Sequence, residues 1–226
     1  MMYDKAMKKL NSKAVKSRFA FNPAEVDQGS TEWLIMKLGV LSASNADKVM
    51  AGTKTQGRQT YMASLIKEVA ACEPSELAPF KQLEHGKLWE PVARDALAFS
   101  LMEDIKEVPF VYSDDMRSGC SPDGLFGSNS GAEIKCPYDS THFIKLACFS
   151  EAKKAYEKQC QFSMWVTGAE QWVFANYDDR MTLMPKLHHV VFERDDKVMK
   201  TLDDCVPQFI SDMDKALADI GINFGS

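Results

Sequence analysis

Several things are missing from this sequence, and each absence narrows the field. No stretch approaches the ~20 uninterrupted apolar residues that a membrane-spanning helix needs. Closely spaced cysteine pairs are lacking too: Cys72, Cys120, Cys136, Cys148, Cys160 and Cys205 are scattered along the chain. Zinc ribbons and fingers draw their ligands in such pairs, and disulfide scaffolds are shorter and richer in cysteine, so reduced and mostly buried thiols are expected. Net positive charge is missing as well, because 27 Lys and Arg stand against 32 Asp and Glu, a balance of −5. That excludes a protein that coats DNA through a generally basic surface, although an enzyme with a local basic channel remains open. Repeats, low-complexity tracts and Gly/Ser linkers are absent. The N-terminus carries Lys5, Lys8, Lys9, Lys13, Lys16 and Arg18 without an apolar h-region, so it does not read as a secretory signal, and a cytoplasmic location in a bacterial cell or phage-infected host is expected.

What is present is ordinary globular material, 45% hydrophobic and 26% charged over 226 residues, enough for a single core. The simplest division is a basic, flexible tail over residues 1–26 and one domain over 27–226. Helical spacing predicts helices over Ser44 to Met50, Thr60 to Ala71, Glu84 to Met102, Glu151 to Val166 and Lys200 to Ile220. In the third of these, Leu88, Val92, Ala96, Leu97 and Phe99 are expected to form the apolar stripe. Ile105 to Tyr112, Gln171 to Tyr177 and Leu187 to Glu193 read as strands. Gly124 to Phe126 and Ala132 to Lys135, separated by the turn-rich Gly127 to Gly131, read as a hairpin. The sum is an α/β domain with a mixed central sheet and flanking helices.

The chemistry gathers in this hairpin. Glu133 and Lys135 are two apart on one strand and therefore share a face, while Asp123 opens the partner strand across from them. Two close carboxylates repel unless a positive group lies between them, and a hard divalent cation such as Mg²⁺ accepts one or two carboxylates while keeping water. The Ile134 side chain faces the core, but its carbonyl can complete a metal shell. With Lys135 to orient or help deprotonate water, the set suits phosphodiester hydrolysis.

Pro122-Asp123-Gly124 followed by Glu133-Ile134-Lys135 resembles the active-site signature of the restriction-endonuclease-like nucleases. Cys120 to Leu125, Glu133 to Pro137, Gln161 to Val166 and Phe174 to Asp178 together resemble the phage lambda exonuclease family, with further matching segments at Trp33 to Ser44, Gly86 to Arg94 and Val206 to Phe224. The likeness spans about Asp27 to Phe224. It implies a restriction-endonuclease-like core and a Mg²⁺-dependent 5′→3′ exodeoxyribonuclease, with Mn²⁺ as a substitute and two ions per site. Linear duplex DNA would be degraded from its end to 5′ mononucleotides, leaving a 3′ single strand for recombination.

By the same resemblance, Asp123, Glu133 and Ile134 hold metal, Lys135 is the catalytic lysine, and Glu90 and Gln159 assist, the latter in a Tyr156-x-x-Gln159 element. Lys37, Ser44 and Ser121 would hold the 5′-phosphate, with Ser44 also capping a helix. Lys37 and Thr141 stand where the best-known relative has arginines, and a lysine lacks the bidentate fork. A homotrimeric ring and a single-strand annealing protein are implied partners. An endonuclease of the same fold and a catalytically inactive DNA-binding subunit are the alternatives. Neighbouring His188 and His189 point to opposite faces of a strand and cannot share a metal. Trp89, Trp165 and Trp172 are expected in the core, while Trp33 lies near the presumptive DNA-binding block.

Overall fold

In the computed structural model, which describes residues 1–74, 80–149 and 151–224, the order of elements places two small sheets around one long helix. The helices are α1 (Met2–Leu10), α2 (Lys13–Lys16), α3 (Thr31–Met36), α4 (Ala46–Val49), α5 (Gln56–Ala71), α6 (Phe80–Leu101), α7 (Ser140–Cys148), α8 (Glu151–Thr167) and α9 (Asp196–Asp219). The strands are β1 (Leu41–Ser42), β2 (Val111–Tyr112), β3 (Ser118–Cys120), β4 (Gly124–Phe126), β5 (Ser130–Lys135), β6 (Gln171–Tyr177) and β7 (Leu187–Glu193). One sheet runs β1-β3-β2 and the other β4-β5-β6-β7. The second is mixed: β5 and β6 are parallel, joined by the α7–α8 crossover that parallel pairing requires, while β4 and β7 run antiparallel to their neighbours. Helix α8 packs on β6 of this sheet and on β2 and β3 of the other, and its Cys160, Phe162 and Met164 are buried in the largest core cluster.

The expected hairpin forms as β4 and β5, with Gly124 opposite Ala132 and Phe126 opposite Ser130. The Ile105 to Tyr112 strand does not form as a whole. It makes a single bridge between Lys106 and Leu125 and then the short β2, and Pro109, with no N–H to give a ladder, lies between the two. The apolar stripe expected on α6 is also corrected. Ala93 and Leu97 are fully buried, whereas Leu88 is 67% and Phe99 88% exposed. The inward side of this helix is shared between those two core residues and the polar Glu90 and Arg94, so hydrophobicity alone misplaces it. The N-terminal stretch, expected as a flexible tail, is instead helical in α1 and buries Met2, Ala6 and Leu10. These residues recur every four positions along one face of the helix, between its lysines.

Trp172 on β6 is fully buried opposite Gly131 on β5, and a Cβ built at Gly131 would collide with its indole ring. Gly131→Ala should therefore overpack the sheet beside the Glu133 strand and destabilise the protein by about 2 kcal/mol, read as a lowered urea midpoint at unchanged m-value.

Candidate active site

The hairpin places its acidic residues by main-chain geometry. Asp123 precedes β4, and its N–H donates to the Ala132 carbonyl at 3.1 Å. Its carboxylate accepts from the Ile134 N–H at 2.5 Å. Asp123 and Glu133 are 8% and 3% exposed, and the Lys135 ammonium contacts the Glu133 carboxylate. Gly124 leaves room for Ile105, whose side chain would meet a Cβ at that position. The Ile134 side chain is buried among Ala93, Leu97 and Phe126, as its place between Glu133 and Lys135 requires. Its N–H faces Asp123, and since the N–H and carbonyl of one strand residue point to the same edge, its carbonyl faces that way too.

A cleft of about 530 Å³ opens over this hairpin. Asp123, Glu133, Lys135, Glu90 and Gln159 line it, and so do Lys37, Ser44 and Ser121. Residues far apart in sequence are thus brought to one site from the α3 region, α6, the hairpin and α8. One correction concerns its rim. Ser44 does not cap a helix: it lies in the 3-10 turn Ala43–Asn45, and its hydroxyl pairs with that of Ser42 at 3.0 Å, while Asn45 stands at the N-cap of α4 and makes no side-chain cap bond. Trp33, which also lines the cleft, is tied by its indole N–H to the Pro109 carbonyl at 2.9 Å and carries the Lys37 ammonium 3.6 Å over its ring. Elsewhere, Trp172 is fully buried, while Trp89 and Trp165 are partly buried against the core.

Arg94 is the cleft residue that spacing did not single out. Its Nε donates to the Asp123 carbonyl at 2.7 Å, one Nη to Glu90 at 2.6 Å, and the other pairs with Glu107 at 2.9 Å. One guanidinium thus fixes the helical glutamate relative to the hairpin. Only tertiary structure reveals this, because the partners lie four, 29 and 13 residues away along the chain.

The electrostatics are those of crowded negative charge. Burial, followed by Glu133 and Glu90, raises the Asp123 pKa well above the ordinary carboxylate value, against the opposing pull of Lys135 and the Ile134 N–H. Burial also raises Glu90, with Arg94 opposing. Lys135, which burial would lower, is held above the usual lysine value by Glu133 and Asp123. Hard oxygen donors in a buried, mutually repelling pair fit a divalent cation such as Mg²⁺. Among the described residues no three His, Cys, Asp or Glu side chains form a closed cage, so such a cation would rest on two carboxylates, a carbonyl and water, an arrangement that suits Mg²⁺. In the same cleft, burial lowers Lys37 to about 8, with Glu68 and Glu133 opposing, and the Ser121 hydroxyl is buried with no hydrogen-bond partner among the described residues.

Residues 32–170 match the YqaJ-like viral recombinase domain. The Escherichia coli (strain K12) protein ExoD is 52% identical over 82 residues, which cover 36% of this chain and 93% of that protein. The alkaline exonuclease LHK-Exo of Laribacter hongkongensis superposes with a TM-score of 0.76 at 30% identity, over 84% of this chain and 96% of that one. Its complex with dAMP also gives a TM-score of 0.76, at 31% identity and the same coverage. A phage-related exonuclease from Haemophilus somnus 129PT, with a TM-score of 0.68 at 15% identity over 80% of this chain and 96% of that one, shares the fold.

The lowered Lys37 gives a test with a definite sign. Below about 8 the group is an ammonium and attracts phosphate; above it the free protein loses that charge. In metal-free protein, affinity for a 5′-phosphorylated oligonucleotide should be flat between pH 7 and the Lys37 pKa and fall at higher pH. In Lys37→Arg the fall should disappear, as calorimetric titration across the range would reveal. A parallel fall in both proteins would place the titration elsewhere.

Proposed function

The chain belongs to the family of YqaJ-like viral recombinase domains, the lambda exonuclease family, and from that premise we propose a 5′→3′ exodeoxyribonuclease that loads at the end of linear duplex DNA. Its fold is restriction-endonuclease-like, and it is a nuclease that acts on DNA. The observation that carries the finer reading is the mixed lining of one cleft. Buried carboxylates and Lys135 share it with Lys37 and with the Ser121 hydroxyl, which has no hydrogen-bond partner among the described residues.

In this reading Lys37, Ser121 and Ser44 receive the 5′-phosphate, and that contact sets which phosphodiester bond reaches the carboxylates. Asp123, Glu133 and the Ile134 carbonyl would hold Mg²⁺, with Mn²⁺ as a substitute and two ions per site. The bound cation would supply Lewis acidity and ease deprotonation of water. Lys135 keeps its ammonium beside the reacting phosphate, orients the attacking water and offsets the charge that grows on phosphorus-bound oxygen. Glu90, fixed by Arg94, and Gln159 line the approach and hold water in place by hydrogen bonding. A 5′ mononucleotide leaves, and the other strand remains as a 3′ single-stranded tail, the substrate of a single-strand annealing partner. A ring of three chains around the duplex would account for repeated cleavage without release, and the cytoplasm is the proposed location. Among the described residues no helix is long and apolar enough to cross a membrane.

A closed plasmid and the same plasmid linearised with labelled 5′-phosphate ends, each given Mg²⁺, test the proposal together. Release of the label as mononucleotide from the linear form, with the circle intact, is expected. Nicking of the circle would make the protein an endonuclease, and cleavage of neither DNA would leave a binding subunit. In the same assay Asp123→Ala and Glu133→Ala should abolish turnover. Lys135→Ala should slow it by ~10²-fold or more while DNA binding survives, the scale of losing one electrostatic contact to a transition state.

A further inference from the structure

A second cavity, of about 410 Å³, adjoins the first, and among the described residues Lys135 is the one that lines both. Its character differs from that of the larger cleft. Among the described residues Lys135 is its only lysine or arginine, and its remaining groups include the rings of Tyr138, His142 and Tyr156 and the amide of Gln82. The Asp139 carboxylate at its edge is already engaged, accepting from the Thr141 N–H at 2.8 Å as the cap of α7. Such a lining suits a base, with a flat face and amide-like edges, better than a phosphate.

Tyr138 is the unusual member. Its side chain is half exposed and touches the His85 ring only edge-on, at 5.5 Å between centroids, yet its main chain is held firmly. The Pro137 and Tyr138 carbonyls accept from the Arg180 guanidinium at 2.8 and 2.9 Å. That guanidinium is forked onto the buried Asp178 carboxylate at 2.7 and 2.9 Å. A planar Arg–carboxylate fork is a rigid support, so an aromatic ring open to solvent stands on a fixed mount next to the catalytic lysine. Behind it Tyr156 stacks on Phe174 at 4.4 Å and closes the rear wall.

The direction of the strand decides what enters. On the reading above, the terminal nucleotide occupies the larger cleft between Lys37 and Lys135, so the chain beyond Lys135 is the portion 3′ of the bond being cut. We propose that the smaller cavity is the subsite for the nucleotide immediately 3′ of the scissile phosphate, with its base stacked on Tyr138 and Arg180 acting as the positioning residue for that ring. The proposal rests on the 5′-end reading of the larger cleft. Stacking needs no particular base, so the subsite would grip any sequence and hold the strand while the phosphate is aligned.

Single-turnover release of the first nucleotide is measured on 5′-phosphorylated duplexes that are unmodified, abasic at the terminal nucleotide, or abasic at the second. On the unmodified duplex Tyr138→Ala should raise the concentration for half-maximal rate about tenfold, the size expected for one lost stack, with little change in the maximal rate, and Tyr138→Phe should restore it. Wild-type protein on the duplex abasic at the second nucleotide should show the same loss, and Tyr138→Ala should lose nothing further on it. Arg180→Ala should behave as Tyr138→Ala does, with the same insensitivity to the second base, which a merely destabilising change would not produce. Losses that multiply on that duplex, coupling to the terminal base instead, or failure of Tyr138→Phe to rescue would each overturn the subsite. If wild-type protein releases no 5′ nucleotide from the unmodified duplex, the 5′-end reading itself fails. Release without coupling to Tyr138 would remove the subsite alone.

Discussion

Asp123 and Glu133 stand on facing positions of a hairpin, both nearly closed to solvent, and much of the surrounding structure acts to keep two like charges there. Burying a carboxylate is unfavourable and burying two together more so, unless donors and cations share the space. The Ile134 N–H, the Lys135 ammonium and, through the Asp123 carbonyl and Glu90, the Arg94 guanidinium are those donors. Against them burial, and after it Glu133 and Glu90, still hold the Asp123 pKa above the ordinary carboxylate value. Two buried carboxylates this close would give a divalent cation a favourable place to bind, and hence a physical reason for the proposed metal dependence in a chain whose overall charge is already negative.

This need explains why α6 looks wrong as an amphipathic helix. Its inward side must deliver Glu90 and Arg94 to the hairpin while Ala93 and Leu97 seal against Ile134. Leu88, Val92 and Phe99 are left on the outside, so apolar content no longer reports which face is buried. The helix departs from the usual pattern where it serves the site, which is where local rules are expected to fail.

The sequence made the hairpin and the convergence of Asp123, Glu133 and Lys135 legible because strand alternation and a turn are local signals. The mixed α/β class followed from the order of predicted helices and strands, and the lambda exonuclease family from motifs strung along most of the chain; the structure and the comparisons bear both out. Strands β1 and β3, of two and three residues, were missed because they are too short to show any period. Helix α1 was hidden by its lysines, although Met2, Ala6 and Leu10 form its buried stripe. Arg94 and Arg180 could not be singled out, since each matters only through carbonyls and carboxylates brought near by folding. The same holds for Ser42, whose hydroxyl joins that of Ser44 at the cleft rim.

The lining of the larger cleft also bears on the lysine that stands where the best-known relative has an arginine. Lys37 lies partly buried over the Trp33 ring, a contact that favours the ammonium while burial opposes it. Ser121 offers a hydroxyl with no partner among the described residues, and leaving such a group unpaired is unfavourable. Both groups would gain from an anion placed between them. These two groups are thus incompletely satisfied among the described residues, and on the proposed reading a terminal phosphate would meet a point charge and a hydroxyl instead of a guanidinium fork. Such a contact is less directional than a bidentate one, so alignment of the strand must come from elsewhere along it. The rigidly mounted ring of Tyr138, on the far side of Lys135, is placed to share that task. Anchoring at two points on either side of the scissile bond would then do what a single arginine fork at the terminus does not.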